Sequence, residues 1–156
     1  FHRVFTAREW NAALRFAPEQ GAAPAGHSPS GPLQESAVQH PSGPSVPELP
    51  TRALHSLAAR WAAKEAFIKA WSSLYYGRED PLKSADIDWA QIEVVCDRWG
   101  RPAFRFHGQI ASELDKTQEE LKASFSWLLS LSHDGNYAIA WVSVNQTDLR
   151  EAKEFS

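Results

Sequence analysis

Methionine is absent from the 156 residues, and cysteine occurs once, at Cys96. A single thiol excludes an intrachain disulfide and a cysteine-built zinc site, and it suits a reducing compartment. No apolar run approaches the roughly 18 residues that would cross a bilayer, and no secretory leader is visible. The chain therefore reads as soluble and cytoplasmic, with no membrane partner. An excess of either charge is lacking too. Sixteen Lys and Arg face nineteen Asp and Glu, giving a net charge of −3 and a pI near 6.1. That balance argues against a general nucleic-acid or anionic-membrane binder, while leaving room for a local basic pocket.

Outside one stretch the chain is also poor in proline and glycine. Between Ala17 and Pro50 lie eight of the ten prolines and four of the eight glycines. Too few large apolar side chains accompany them to offset the entropy of ordering. We read residues 17–50 as a flexible insertion with polyproline character in an otherwise single domain spanning 1–156.

The longest run of strong helix formers, Leu57 to Trp71, predicts a helix from about Thr51, its N-cap, to Tyr76, with Gly77 as the stop. An advance of about 100° per residue puts Leu54, Leu57, Ala58, Trp61, Ile68 and Ser72 on one side. Glu65 falls within that stripe. A carboxylate placed among apolar neighbours must take up a proton, find a cation or hold a metal. The plainer reading pairs it with Lys69 one turn on, which is worth roughly 0.3–0.5 kcal/mol on an exposed helix.

Upstream, Thr6-Ala7-Arg8-Glu9 forms a capping box, with Phe5 and Trp10 placed as its hydrophobic staple, opening a helix from Ala7 to about Phe16. Downstream, Ile92–Cys96 and Ala103–Phe106 flank the turn residues Asp97 to Gly100 and predict a hairpin. Gly108 to Ala123 reads as an amphipathic helix with Ile110, Leu114 and Leu121 inward. Phe125–Ser132 and Tyr137–Val144 then form a second hairpin around Asp134-Gly135-Asn136, its second strand largely buried. The tail after Asn145 reads as frayed.

Four segments together resemble one family. Arg60 to Trp71 resembles the W-x-x-K-E-[AS]-x-x-K-[AL] signature of the 4′-phosphopantetheinyl transferases, most closely the small bacterial holo-acyl-carrier-protein synthases. Phe5-Thr6-x-x-Glu9 resembles the F-T-x-x-E element of that type. Gly100-Arg101-Pro102 resembles its G-[RK]-P turn, and Leu131-Ser132-His133-Asp134 its [ST]-H-[DTS] strand end. The resemblance implies an α+β fold with a long central helix packed on a small antiparallel sheet. It further implies transfer of the 4′-phosphopantetheine arm of coenzyme A to a serine of apo acyl carrier protein, in the service of fatty-acid synthesis.

By the same resemblance Mg²⁺ is the cofactor, Glu65 its ligand and a catalytic residue, and Lys69 the group at the reacting phosphate. Gly100, Arg101, Pro102 and His133 fall at coenzyme-binding positions, and Glu9 is a further candidate; Arg60 and Lys64 flank the helix stripe, where they could bind the adenosine-side phosphates of coenzyme A or the acidic carrier protein. The family type is a homotrimer with sites at subunit boundaries. Each residue also has a bland reading: solvated helix cations, a tight Gly-Pro turn, an unremarkable turn histidine.

One departure stands out. The family's opening strand carries an Asp that is the other protein ligand to Mg²⁺, in a G-[IV]-[DG]-[ILV]-[VT] segment, and no such segment precedes Phe1. We expect the chain as written to lack that N-terminal strand and to bind metal weakly. Two competing readings follow, a non-catalytic module that keeps affinity for coenzyme A or the carrier protein, and a scaffold acting through its Pro-rich segment.

Overall fold

The computed structural model describes residues 4–15, 49–82 and 87–148. The expected 17–50 insertion and the end of the first helix at Phe16 lie almost wholly outside them. Helix α1 spans Ala7–Leu14 and α2 spans Thr51–Ser73. A 3₁₀ turn at Trp89–Gln91 leads into β1, Ile92–Cys96, followed by β2, Pro102–Phe106. Helix α3, Gly108–Leu121, precedes β3, Ala123–Asp134, and β4, Tyr137–Asp148.

Helix α1 begins as its sequence dictates. The Glu9 amide donates to Thr6 Oγ1 at 3.2 Å, and the Thr6 amide donates to Glu9 Oε2 at 2.9 Å. The Phe5 and Trp10 rings meet edge-on, 6.0 Å between centroids. In α2 the expected Thr51 cap is not used. Pro50 holds the N-cap with φ −54°, and Thr51 is already helical. A proline ring fixes φ where the helix entry needs it and lacks only a donor that would be unsatisfied there anyway. The helix ends at Ser73, and irregular turns carry the chain to Gly77, whose φ of +79° only glycine adopts cheaply.

Among the described residues the strands form two antiparallel hairpins, β1–β2 and β3–β4, rather than one sheet. In the second, a two-residue turn at Gly135-Asn136 joins strands of twelve residues each. The expectation of a buried β4 fails. Its residues alternate, with Ala138, Ala140 and Val142 half-buried while Tyr137, Ile139 and Trp141 are 66–78% exposed. An antiparallel hairpin lined by helices on one side only leaves its other face open. Nor does β4 fray at Asn145: it stays paired to Asp148, opposite Ala123.

Helix α2 lies along β3 and β4. Phe67, fully buried, is the hub of the core. Its ring lies 4.6 Å from Phe106, 4.8 Å from Trp127 and 5.2 Å from Phe104, measured between centroids. Trp71, Tyr75, Ile92, Ile110 and Leu114 complete this cluster. Burying each such side chain contributes about 1.5–3 kcal/mol. The inward face of α3 includes Thr117 as well as Ile110 and Leu114, whereas Leu121 is only half-buried. Thr117 Oγ1 accepts from Trp71 Nε1 at 3.1 Å and from the Tyr75 hydroxyl at 3.0 Å. It donates to the Glu113 carbonyl at 2.8 Å, so a polar atom in the core is satisfied three ways.

Candidate active site

The core face of α2 is not the one the apolar stripe suggested. Ala53, Leu57, Arg60, Lys64, Phe67 and Trp71 are buried, while Leu54 is 48% exposed and Ala58 is open. The charges on the inward face of α2 are therefore Arg60 and Lys64, and Glu65, one residue beyond Lys64, stands on the half-open flank with Trp61, Ile68 and Ser72. The correction has a simple cause. Small alanines on several sides of the helix blur its amphipathicity, and the large rings of Phe67 and Trp71 decide which side turns inward.

Lys64, expected beside the stripe within reach of phosphates or the carrier protein, is fully enclosed in this chain. Its ammonium donates to Glu9 Oε2 at 2.9 Å, to the Val4 carbonyl at 2.6 Å and to the Trp89 carbonyl at 2.9 Å. Neither side chain of the pair is exposed. Burial lowers the Lys64 pKa from its ordinary 10.5, while Glu9 pulls the other way. The other Glu9 oxygen accepts from the Val94 amide at 3.0 Å. Beside this pair, buried Glu93 accepts from the Thr6 hydroxyl at 2.8 Å and pairs with His107 Nε2 at 3.2 Å. Burial pushes its carboxyl up, but those two bonds and the nearby cations outweigh it and leave the pKa below 4.5.

Arg60 is the second buried cation of α2, 6% exposed. Its guanidinium donates through one terminal nitrogen to the Ser56 carbonyl and hydroxyl, and Nε has no partner. Among the described residues no carboxylate lies within ion-pair distance of it. Lys69, one turn beyond Glu65, is exposed and borders a cleft with Ser72, Asp80, Pro81, Leu82 and Ile87.

The turn of the first hairpin carries Gly100 at φ +82° and Arg101, whose Nε donates to Asp97 Oδ2 at 2.6 Å. Trp99, 64% exposed, has two guanidinium groups against its ring, Arg98 at 3.7 Å and Arg101 at 4.7 Å from the centroid. The result is a flat cationic surface suited to stacking or to anions. Sequence reasoning singled out Arg101 but not Trp99 or Arg98, although the Arg-Trp-Gly-Arg string was the visible signal.

His133, exposed near the end of β3, faces His55 of α2 with ring centroids 5.6 Å apart. His55 was missed, since it sits on the helix with no motif around it. Trp127 meets Phe67 further along the same two elements. Six strand residues and twelve helix residues both advance about 20 Å, so β3 and α2 run side by side in opposite directions. Glu65 lies ten residues beyond His55, about 15 Å along α2. Within one chain Glu65 with Lys69 and His133 with His55 thus form two separate groups, with Arg60 midway between them along the helix and the Gly100–Pro102 turn on the first hairpin.

Among the described residues no cluster of three or more His, Cys, Asp or Glu could hold a metal. Glu65 offers one hard carboxylate. That fits Mg²⁺, which commonly takes one or two carboxylates and completes its shell with water and substrate phosphate oxygens.

The comparisons converge on one group. A family model described as the 4'-phosphopantetheinyl transferase superfamily matches residues 34–142. A holo-[acyl-carrier-protein] synthase of Corynebacterium efficiens is 51% identical over 84 residues, covering 54% of this chain and 57% of that protein. One from Mycobacterium ulcerans is 46% identical over 88 residues, covering 56% and 60%. The chain thus spans less than two thirds of the curated relatives it matches. A solved structure titled as an ACPS-CoA complex of Chronobacterium ammoniagenes superposes with a TM-score of 0.65 at 32% identity, covering 94% of this chain and 81% of that one. With its α+β architecture, its W-x-x-K-E-A-x-x-K helix and a match across more than half its length, the chain belongs to the 4'-phosphopantetheinyl transferase superfamily.

Proposed function

We propose that the protein is a holo-acyl-carrier-protein synthase, moving the 4′-phosphopantetheine group of coenzyme A onto a serine of apo acyl carrier protein. The observation that carries this reading is the placement of Glu65 and Lys69 one turn apart on the half-open flank of α2, clear of the core that fixes that helix. In the reaction the serine oxygen bonds to the β-phosphorus, the bridge to the α-phosphate breaks, and adenosine 3′,5′-bisphosphate leaves. The serine proton goes to a base. Lys69 either accepts it or neutralises phosphate charge. Glu65 is the residue to hold Mg²⁺, which would supply electrostatic stabilisation of the charge developing on the phosphate oxygens.

Arg60, a nearly buried cation with no anionic partner among the described residues, is suited to a phosphate or to an acidic carrier protein. Gly100, Arg101 and Pro102, with the Trp99 surface beside them, suit the adenosine end. His133 can donate to phosphate, and adds charge when protonated.

The two groups of candidates, about 15 Å apart along α2, are best reunited by a second copy of the chain. The open face of β3–β4 supports such an assembly. Leu128, Ile139 and Trp141 are exposed there, an apolar stripe that a homotrimer would cover. Among the described residues no helix is long and apolar enough to cross a membrane, and the reading places the enzyme in the cytoplasm, serving fatty-acid synthesis.

The test incubates the full-length protein with coenzyme A, Mg²⁺ and an apo carrier protein, and follows the carrier's mass. We expect the mass gain of one phosphopantetheine group, abolished by Glu65→Gln. Coenzyme A binding without any transfer would instead identify a non-catalytic module, and transfer undiminished in Glu65→Ala would overturn the site assignment.

A further inference from the structure

We propose that Lys64 and Glu9 are positioning residues, a buried clasp that sets the rotation of α2 about its own axis and so aims Glu65. The proposal rests on the reading of Glu65 as a site residue. An ammonium has three donors, and Lys64 spends all three on groups from three separate places. These are the Glu9 carboxylate of α1, the Val4 carbonyl ahead of α1 and the Trp89 carbonyl ahead of β1. Its charge also lies 5.1 Å from the centre of the Phe5 ring. Glu9 is tied just as fully, to the Thr6 and Val94 amides as well as to Lys64.

The rings of Phe67 and Trp71 decide which side of α2 turns inward, and the clasp fixes the exact azimuth within that choice. Alanine at positions 58, 59, 62, 63, 66 and 70 leaves an arc of about 140° beside that face with small side chains that resist rotation little. Directional, charge-assisted bonds to fixed carbonyls supply what those methyl groups cannot. Because Glu65 follows Lys64 directly, any rotation at Lys64 moves the Glu65 carboxylate by the same angle. A displacement of about 1 Å at a reacting centre can cost about 100-fold in rate.

The experiment compares the full chain with the double variant Glu9→Leu/Lys64→Met, which replaces the pair by apolar groups of similar length. Two readouts are taken: the crystallographic position of the Glu65 carboxylate relative to the Phe67–Trp71 core, and kcat and KM for coenzyme A. We expect a folded protein whose Glu65 carboxylate has shifted, with kcat down about 10- to 100-fold and KM for coenzyme A nearly unchanged. A folded variant with Glu65 in its original place and wild-type kcat would overturn the clasp. If the double variant does not fold, Glu9→Gln serves with the same readouts, since it keeps the shape and weakens only the charge pairing. Should the wild-type protein show no transfer at all, the reading of its function fails, while the position of Glu65 still decides the clasp.

Discussion

Lys64 Nζ and Glu9 Oε2 lie 2.9 Å apart with neither side chain reaching solvent, although 55 residues separate them in sequence. Removing one member leaves the other buried and uncompensated, which typically costs about 3–5 kcal/mol, whereas replacing both by apolar groups is often neutral. Urea denaturation of Lys64→Met, Glu9→Leu and the double variant should therefore be strongly non-additive. The double variant should lie within about 1 kcal/mol of wild type.

Glu93 makes stability depend on acid. Burial alone would raise its pKa, but the Thr6 hydroxyl and His107, with the Arg8 and Arg105 charges near it, hold it below 4.5 in the folded protein. A depressed carboxyl contributes stability that is complete above the unfolded value and drains away as pH falls through the lower folded value. The stability gap between wild type and Glu93→Gln should thus shrink as pH falls below about 4.5. Denaturation midpoints across that range check it.

Thr117→Val keeps the volume and removes the hydroxyl. It strands Trp71 Nε1 in the core and takes one of two acceptors from the Tyr75 hydroxyl, the other being Glu120 at 3.2 Å. A loss of about 1–3 kcal/mol is expected from the unsatisfied donor, read from the shift in the thermal midpoint.

Much of this was legible from the sequence because the signals were local. The Thr6–Glu9 box, both hairpins and α3 each rest on neighbouring residues whose chemistry allows few conformations. What was not legible depended on distant partners. The stripe through Glu65 looked like a core face because period alone cannot rank two adjacent apolar faces, and only the rings of Phe104, Phe106 and Trp127, brought from β2 and β3, settle that Phe67 points inward. Lys64 read as a solvated cation for the same reason. Its partners Val4, Glu9 and Trp89 sit on other elements, and nothing at positions 60–68 announces them. The exposure of Ile139 and Trp141 was hidden by their similarity to buried strand residues.

If β3–β4 is an assembly surface, Ile139→Glu/Trp141→Glu should yield a smaller species. Analytical ultracentrifugation should show wild type as an oligomer and the variant as monomer, with transfer activity lost although the monomer stays folded. A wild-type protein that sediments as monomer would sink the subunit-boundary site.

Every strand pairing among the described residues joins consecutive strands, and the longer hairpin closes over just two residues at Gly135-Asn136. Such local zippering is fast, on the order of microseconds for a hairpin, whereas seating Glu9 against Val94 must bring together chain points 85 residues apart. The order of events follows from that contrast. The hairpins form early and the docking of α1 comes late, so weakening the Glu9 contacts should leave the refolding limb of a chevron nearly untouched and raise the unfolding limb.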